Sequence, residues 1–110
     1  MSPGRHLTLI LLALGALAVP AHAATIQIVM ENLVFTPAEV SAKVGDTIEW
    51  VNKDVLAHTS TAKNGDFDVM VPPKQTVTSV LKRAGTIDYY CRFHPNMVGC
   101  IASLPKYAVV

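Results

Sequence analysis

Cys91, His94 and Met97 place a thiol, an imidazole and a thioether at intervals of three residues in the run Cys91-Arg92-Phe93-His94-Pro95-Asn96-Met97. All three are soft or borderline donors. A thiolate with an imidazole suits copper or zinc, whereas a thioether adds little for zinc and much for copper, above all in the cuprous state. Met97 therefore tilts the choice toward copper. Pro95 cannot donate to a strand ladder and stiffens the loop, so the three donors are free to converge instead of alternating across a sheet. The chain has four histidines, and His6 and His22 fall in an N-terminal segment of a different character. That leaves His58, which follows the loop Asn52-Lys53-Asp54-Val55-Leu56-Ala57. Two histidines, a cysteine and a weak methionine form the trigonal set with a long axial thioether that suits one-electron transfer at copper.

Other chemistries compete for the same residues. Two cysteines in an exported chain suggest a disulfide, Cys91 to Cys100, but that bond would leave His58, His94 and Met97 without a role. A histidine in a β-protein is ordinarily a surface or hydrogen-bonded residue, and methionine ordinarily fills gaps, which is how Met30 and Met70 are read. A Cys/His pair also evokes a nucleophile with its base. That chemistry needs an orienting third group, an oxyanion hole and a cleft, for which a domain this small offers little room. The sequence carries no C-x-x-C, no zincin-type histidine pair and no phosphate-cradling glycine loop. A non-enzymatic role is expected.

The elements that must position these donors read as strands. Thr25-Ile26-Gln27-Ile28-Val29, Thr47-Ile48-Glu49-Trp50-Val51-Asn52, Thr76-Val77-Thr78-Ser79-Val80-Leu81 and Thr86-Ile87-Asp88-Tyr89-Tyr90-Cys91 alternate polar with apolar residues. Gly45-Asp46, Asn64-Gly65, Pro72-Pro73 and Ala84-Gly85 break the chain between strands. No helical period persists after residue 23, so an all-β sandwich or small barrel is expected, with Ile28, Phe35, Val40, Ile48, Trp50, Val80, Ile87, Tyr89 and Ile101 as its core. Loops from separate strands meet at one end of a sandwich, which can bring His58 to the Cys91 loop.

The segment before these strands has its own signature. Arg5 gives a positive start, Leu7 to Val19 is an apolar run, and Ala21-His22-Ala23 is an A-x-A cleavage site. Residues 1–23 are read as a secretory signal peptide and residues 24–110 as one domain. The apolar run is too short to span a bilayer, so no membrane anchor is expected after cleavage. From Ala24 onward eight Lys and Arg balance eight Asp and Glu, interspersed along the chain. A nucleic-acid partner, which would need clustered basic residues, is not expected.

In these residues the sequence resembles the cupredoxins, the type 1 blue copper family, with the short C-x-x-H-x-x-M ligand loop of the amicyanin group. The resemblance rests on Trp50-Val51-Asn52 six residues ahead of the first histidine, on Tyr90-Cys91 at a strand end, and on His94-Pro95 followed by Met97 and Gly99. It implies a Greek-key β-sandwich of about seven to eight strands. It implies one copper ion cycling between Cu(II) and Cu(I), held by His58 and His94 through Nδ1, by the Cys91 thiolate and by axial Met97. Asn52 would brace the cysteine loop. Ala57, Arg92 and Cys100 stand where the family usually has a proline, a small hydroxyl residue and a polar residue. The implied role is periplasmic electron transfer by a monomer that meets a dehydrogenase or a c-type cytochrome transiently. The far edge of His94 would reach the surface, ringed by Pro95 and Val98 with Val71 and Pro72. A periplasmic copper-binding or copper-delivery protein is the alternative, and a structural zinc domain a weaker one.

Overall fold

The computed structural model describes residues 22–108, so the apolar run of the expected signal peptide lies outside the described residues. Those residues form nine strands and no helix: β1 (Thr25–Glu31), β2 (Val34–Thr36), β3 (Glu39–Lys43), β4 (Thr47–Asn52), β5 (His58–Ala62), β6 (Asp68–Val71), β7 (Thr76–Val80), β8 (Gly85–Cys91) and β9 (His94–Leu104). One sheet has the order β2-β1-β4-β7 and the other β3-β9-β8-β5-β6. The all-β sandwich expected from the alternating pattern is what forms, with β1∥β4 and β3∥β9 as its parallel pairs.

β4 shows why the pattern works. Its burial alternates strictly, with Ile48, Trp50 and Asn52 inward. Ile48 and Trp50 join Ile28, Met30, Phe35, Ile87, Tyr89 and Ile101 in a core that takes most of the stabilisation from apolar burial. Phe35, Trp50 and Tyr89 pack edge to face, the Phe35 and Tyr89 ring centroids 4.8 Å apart. Gly99 lies opposite Tyr89 in the β8–β9 ladder, and a Cβ there would come within 2.2 Å of the phenol. Only glycine fits.

Two expectations fail for readable reasons, and a third holds in part. Val80 is 52% exposed, because in Val80-Leu81 only one of two adjacent apolar side chains can face inward, and Leu81 takes that place. Its neighbour Ser79 faces the core instead and accepts the Trp50 indole N–H at 2.9 Å. Met70 is not packing: it sits on the outward face of the edge strand β6, 55% exposed. Val40 packs against the core but is only partly buried.

Candidate metal centre

β8 and β9 meet in a tight turn that builds the site. Cys91 pairs with His94 across Arg92-Phe93, while the next pair inward is Tyr90 with Val98. Pro95, Asn96 and Met97 are therefore looped out of the ladder as a bulge. β9 includes Pro95, which was expected to stop a strand; proline is tolerated there because the first residues of a strand at a bulge need no ladder N–H. The bulge turns Met97 into the interior and leaves Pro95 and Asn96 exposed.

Three expected donors come together. Cys91 Sγ lies 3.8 Å from His58 Nδ1 and 3.6 Å from His94 Nδ1. All three ligand atoms lie within 4.8 Å of one another. Bonds of about 2.0 Å to nitrogen and 2.3 Å to sulfur, meeting at about 120°, would span roughly 3.7 Å between donors. The spacing thus fits one ion shared by two imidazoles and a thiolate. Both cysteines are free, so the competing disulfide is absent. Met97 is buried in the same loop and lines a hollow with Leu33, His94, Pro95 and Asn96.

The surroundings of His58 hold a residue the sequence reading missed. His58 Nε2 lies 2.7 Å from Asp54 Oδ2. A carboxylate can only accept, so Nε2 carries the proton and Nδ1 faces Cys91 with its lone pair available. Asp54 also accepts the backbone N–H groups of Asn32 at 2.9 Å and Leu33 at 3.3 Å, which tie the β1–β2 turn to the site. Burial pushes the Asp54 carboxyl up, but the hydrogen bonds from His58, Asn32 and Leu33 outweigh it and hold the group below the ordinary value. A carboxylate four residues before a candidate ligand was the available signal.

Asn52 braces the site, though not the cysteine loop as expected. Its Nδ2 donates to the carbonyls of Leu56 at 2.8 Å, Val71 at 3.1 Å and Pro72 at 3.2 Å, and its Oδ1 accepts the Asp54 N–H at 2.9 Å. Asn52 closes β4, whose end faces the β4–β5 and β6–β7 loops, and those are the loops it can reach. The cysteine is steadied by β5: the Thr59 N–H points at Cys91 Sγ from 3.3 Å, and Thr59 Oγ1 accepts the Arg92 N–H at 2.8 Å. Arg92 Nε in turn bonds Asp68 at 3.1 Å, and Asp68 accepts from Thr61 at 2.7 Å. Val71 is fully buried and forms no part of the surface around His94.

Fold and site together define a small β-sandwich that carries a His-Cys-His metal-ligand group at one end, closed by a methionine-bearing loop. The family model of the cupredoxin-like domain matches residues 5–102, and the chain belongs to that family. Among curated relatives, amicyanin of Paracoccus versutus is 33% identical over 91 residues, covering 77% of this chain and 67% of its own. The methylamine utilization protein MauL of Methylorubrum extorquens is 34% identical over 87 residues, covering 76% of each chain. The crystal structure of Paracoccus versutus amicyanin superposes with a TM-score of 0.63 at 31% identity, covering 80% of this chain and 87% of that one.

Proposed function

We propose that this chain is a type 1 copper protein that carries single electrons between redox partners in the bacterial periplasm. His58 and His94 would hold copper through Nδ1 and Cys91 as thiolate, and Met97 would add a weaker thioether donor. The observation that carries the reading is the donor triangle with sides of 3.8 and 3.6 Å beside a buried thioether, a set that favours copper over zinc. Copper held there supplies one-electron chemistry between Cu(II) and Cu(I).

The residues around the ion do the rest. Asp54 fixes the His58 ring and its tautomer, and the Thr59 N–H stabilises negative charge on sulfur, which favours the oxidised state less than a bare thiolate would. Four protein donors leave no open position for a substrate, which supports a carrier over an enzyme. His58 and Cys91 are both sealed from solvent, which disfavours the alternative of a delivery protein, whose donors must be reached by the recipient.

Electrons enter and leave at the partly exposed His94, beside exposed Pro95, Val98, Phe93 and Leu33. Exposed apolar side chains around a single imidazole suit a short-lived encounter with a dehydrogenase or a c-type cytochrome. The likeness to amicyanin and to a methylamine utilization protein supports an amine-oxidising donor. Residues 1–23 act as the export signal, and the mature chain works as a monomer.

The deciding experiment is the visible and electron paramagnetic resonance spectrum of copper-loaded protein. Strong absorption near about 600 nm with narrow copper hyperfine splitting is expected from a short copper–thiolate bond. Cys91→Ser abolishes the colour and Cys100→Ser keeps it. A colourless copper form of the unaltered chain overturns the proposal.

A further inference from the structure

At the end of β4 far from the metal ligands, Asp46 is 6% exposed, the one buried carboxylate among the described residues. Buried carboxylates are ordinarily paired with a cation, yet no Lys, Arg or His side chain of the described residues comes within ion-pair distance of this one. Its two oxygens are taken by backbone donors: Oδ2 by the Lys43 N–H at 2.9 Å and Oδ1 by the Ala24 N–H at 2.8 Å. Ala24 is fixed from its other side as well, since its carbonyl accepts the Thr47 N–H at 2.9 Å. The nitrogen facing Asp46 therefore belongs to the residue just after the A-x-A cleavage site.

We propose that Asp46 is the receptor for the N-terminus created by signal-peptide removal: the Ala24 ammonium of the mature chain forms an ion pair with the Asp46 carboxylate that its nitrogen already touches. The proposal rests on the export reading and is independent of the metal. The step is a hydrolysis by a signal peptidase. Water adds across the Ala23–Ala24 amide, Ala23 leaves as a carboxylate and Ala24 keeps its nitrogen as an ammonium. No rearrangement is needed, because that nitrogen already sits at hydrogen-bond distance. A neutral amide donor becomes a charged one, and charge-assisted hydrogen bonds are about twice as strong as neutral ones. Cleavage thus completes the domain, and the unprocessed chain holds the same carboxylate with neutral partners alone. Lys43 and Lys106 line the hollow beside Ala23 and Asp46 and repel an ammonium, but neither reaches the carboxylate that the Ala24 nitrogen touches. The carboxylate raises the pKa of the ammonium, so wherever Asp46 is ionised the added stability is complete below the ordinary α-amino value of about 8 and is lost as pH rises through the folded value.

The test compares the copper-loaded chain released from a cleavable fusion to begin at Ala24 with one that begins at Ala21, each with Asp46→Asn. In urea unfolding at pH 7, the substitution is expected to shift the unfolding equilibrium constant about five-fold more in the chain that begins at Ala24. Equal shifts in the two backgrounds overturn the ion pair. Should Asp46→Asn prevent folding, acetylation of the Ala24 amine with Asp46 intact makes the same comparison, with about a five-fold loss expected and no loss overturning. The intact mass of the exported protein tests the processing separately. A chain beginning at Ala24 supports the proposal, and any other start overturns it whatever the unfolding data show. None of these readouts depends on the colour or electron transfer that test the copper site.

Discussion

On the inner flank of the site, His58 is fully buried, Asp54 grips its far nitrogen, and Asn52 holds the carbonyls of Leu56, Val71 and Pro72. On the outer flank, His94 is partly exposed and sits on a bulge whose Pro95 and Asn96 face solvent. The same side chain serves two ends. The inner half fixes where the donors stand, since every group there is hydrogen-bonded to the sandwich. The outer half leaves an imidazole edge open to whatever docks.

The strongest way to break this contrast is to delete each ring in turn. His94→Gly is expected to open a solvent-facing coordination position that added imidazole fills, restoring colour in an absorption titration. His58→Gly leaves a sealed gap, so added imidazole restores nothing and the thermal midpoint falls. Equal rescue of both variants would erase the distinction. Asn52→Ala comes next: it strips the buried Val71 carbonyl, the half-buried Leu56 and Pro72 carbonyls and the Asp54 N–H of their partner and should cost on the order of 3 kcal/mol in denaturant unfolding. Asp54→Asn should weaken copper binding by about ten-fold in a competition titration, because the partner that orients His58 loses its charge. A change at His94 of the same size from any outer-flank polar substitution would show that the inner brace is not special.

The smallest effect lies away from both flanks. Burial pushes the Cys100 thiol up, and the neighbouring Asp88 and Glu39 carboxylates add to it. Its thiolate is therefore scarce at neutral pH, and iodoacetamide should label it slowly, with the rate rising as pH climbs past the ordinary thiol value of about 8.5. Asp88→Asn should speed labelling several-fold at fixed pH without changing the copper spectrum. Fast labelling of the unaltered chain would contradict this.

The two flanks also differed in how readable they were. Cys91, His94 and Met97 stand close in sequence, and their element types alone named a metal and a loop. β1, β4, β7 and β8 announced themselves by alternation. β5 did not, because His58-Thr59-Ser60-Thr61-Ala62 is polar yet almost wholly buried. Thr59 gives its N–H to Cys91 Sγ and accepts the Arg92 N–H on its hydroxyl, and Thr61 bonds Asp68, hydrogen bonding that hydropathy does not register, while Ser60 Oγ is buried without a partner. Asp54 escaped notice for a similar reason: a carboxylate in a polar loop looks like solvent-facing charge until folding sets it beside His58. The phase of β7 was lost at Val80-Leu81, where two apolar neighbours offer two equally hydrophobic faces and the Trp50 indole decides between them.

The bulge after His94 has one more consequence. Because Tyr90 and Val98 resume their pairing beyond it, residues can be added to or removed from Pro95-Asn96-Met97 without sliding β9 along β8. The segment is uncoupled in length from the ladder, while the close contact of Gly99 with Tyr89 keeps the sandwich beneath it in register.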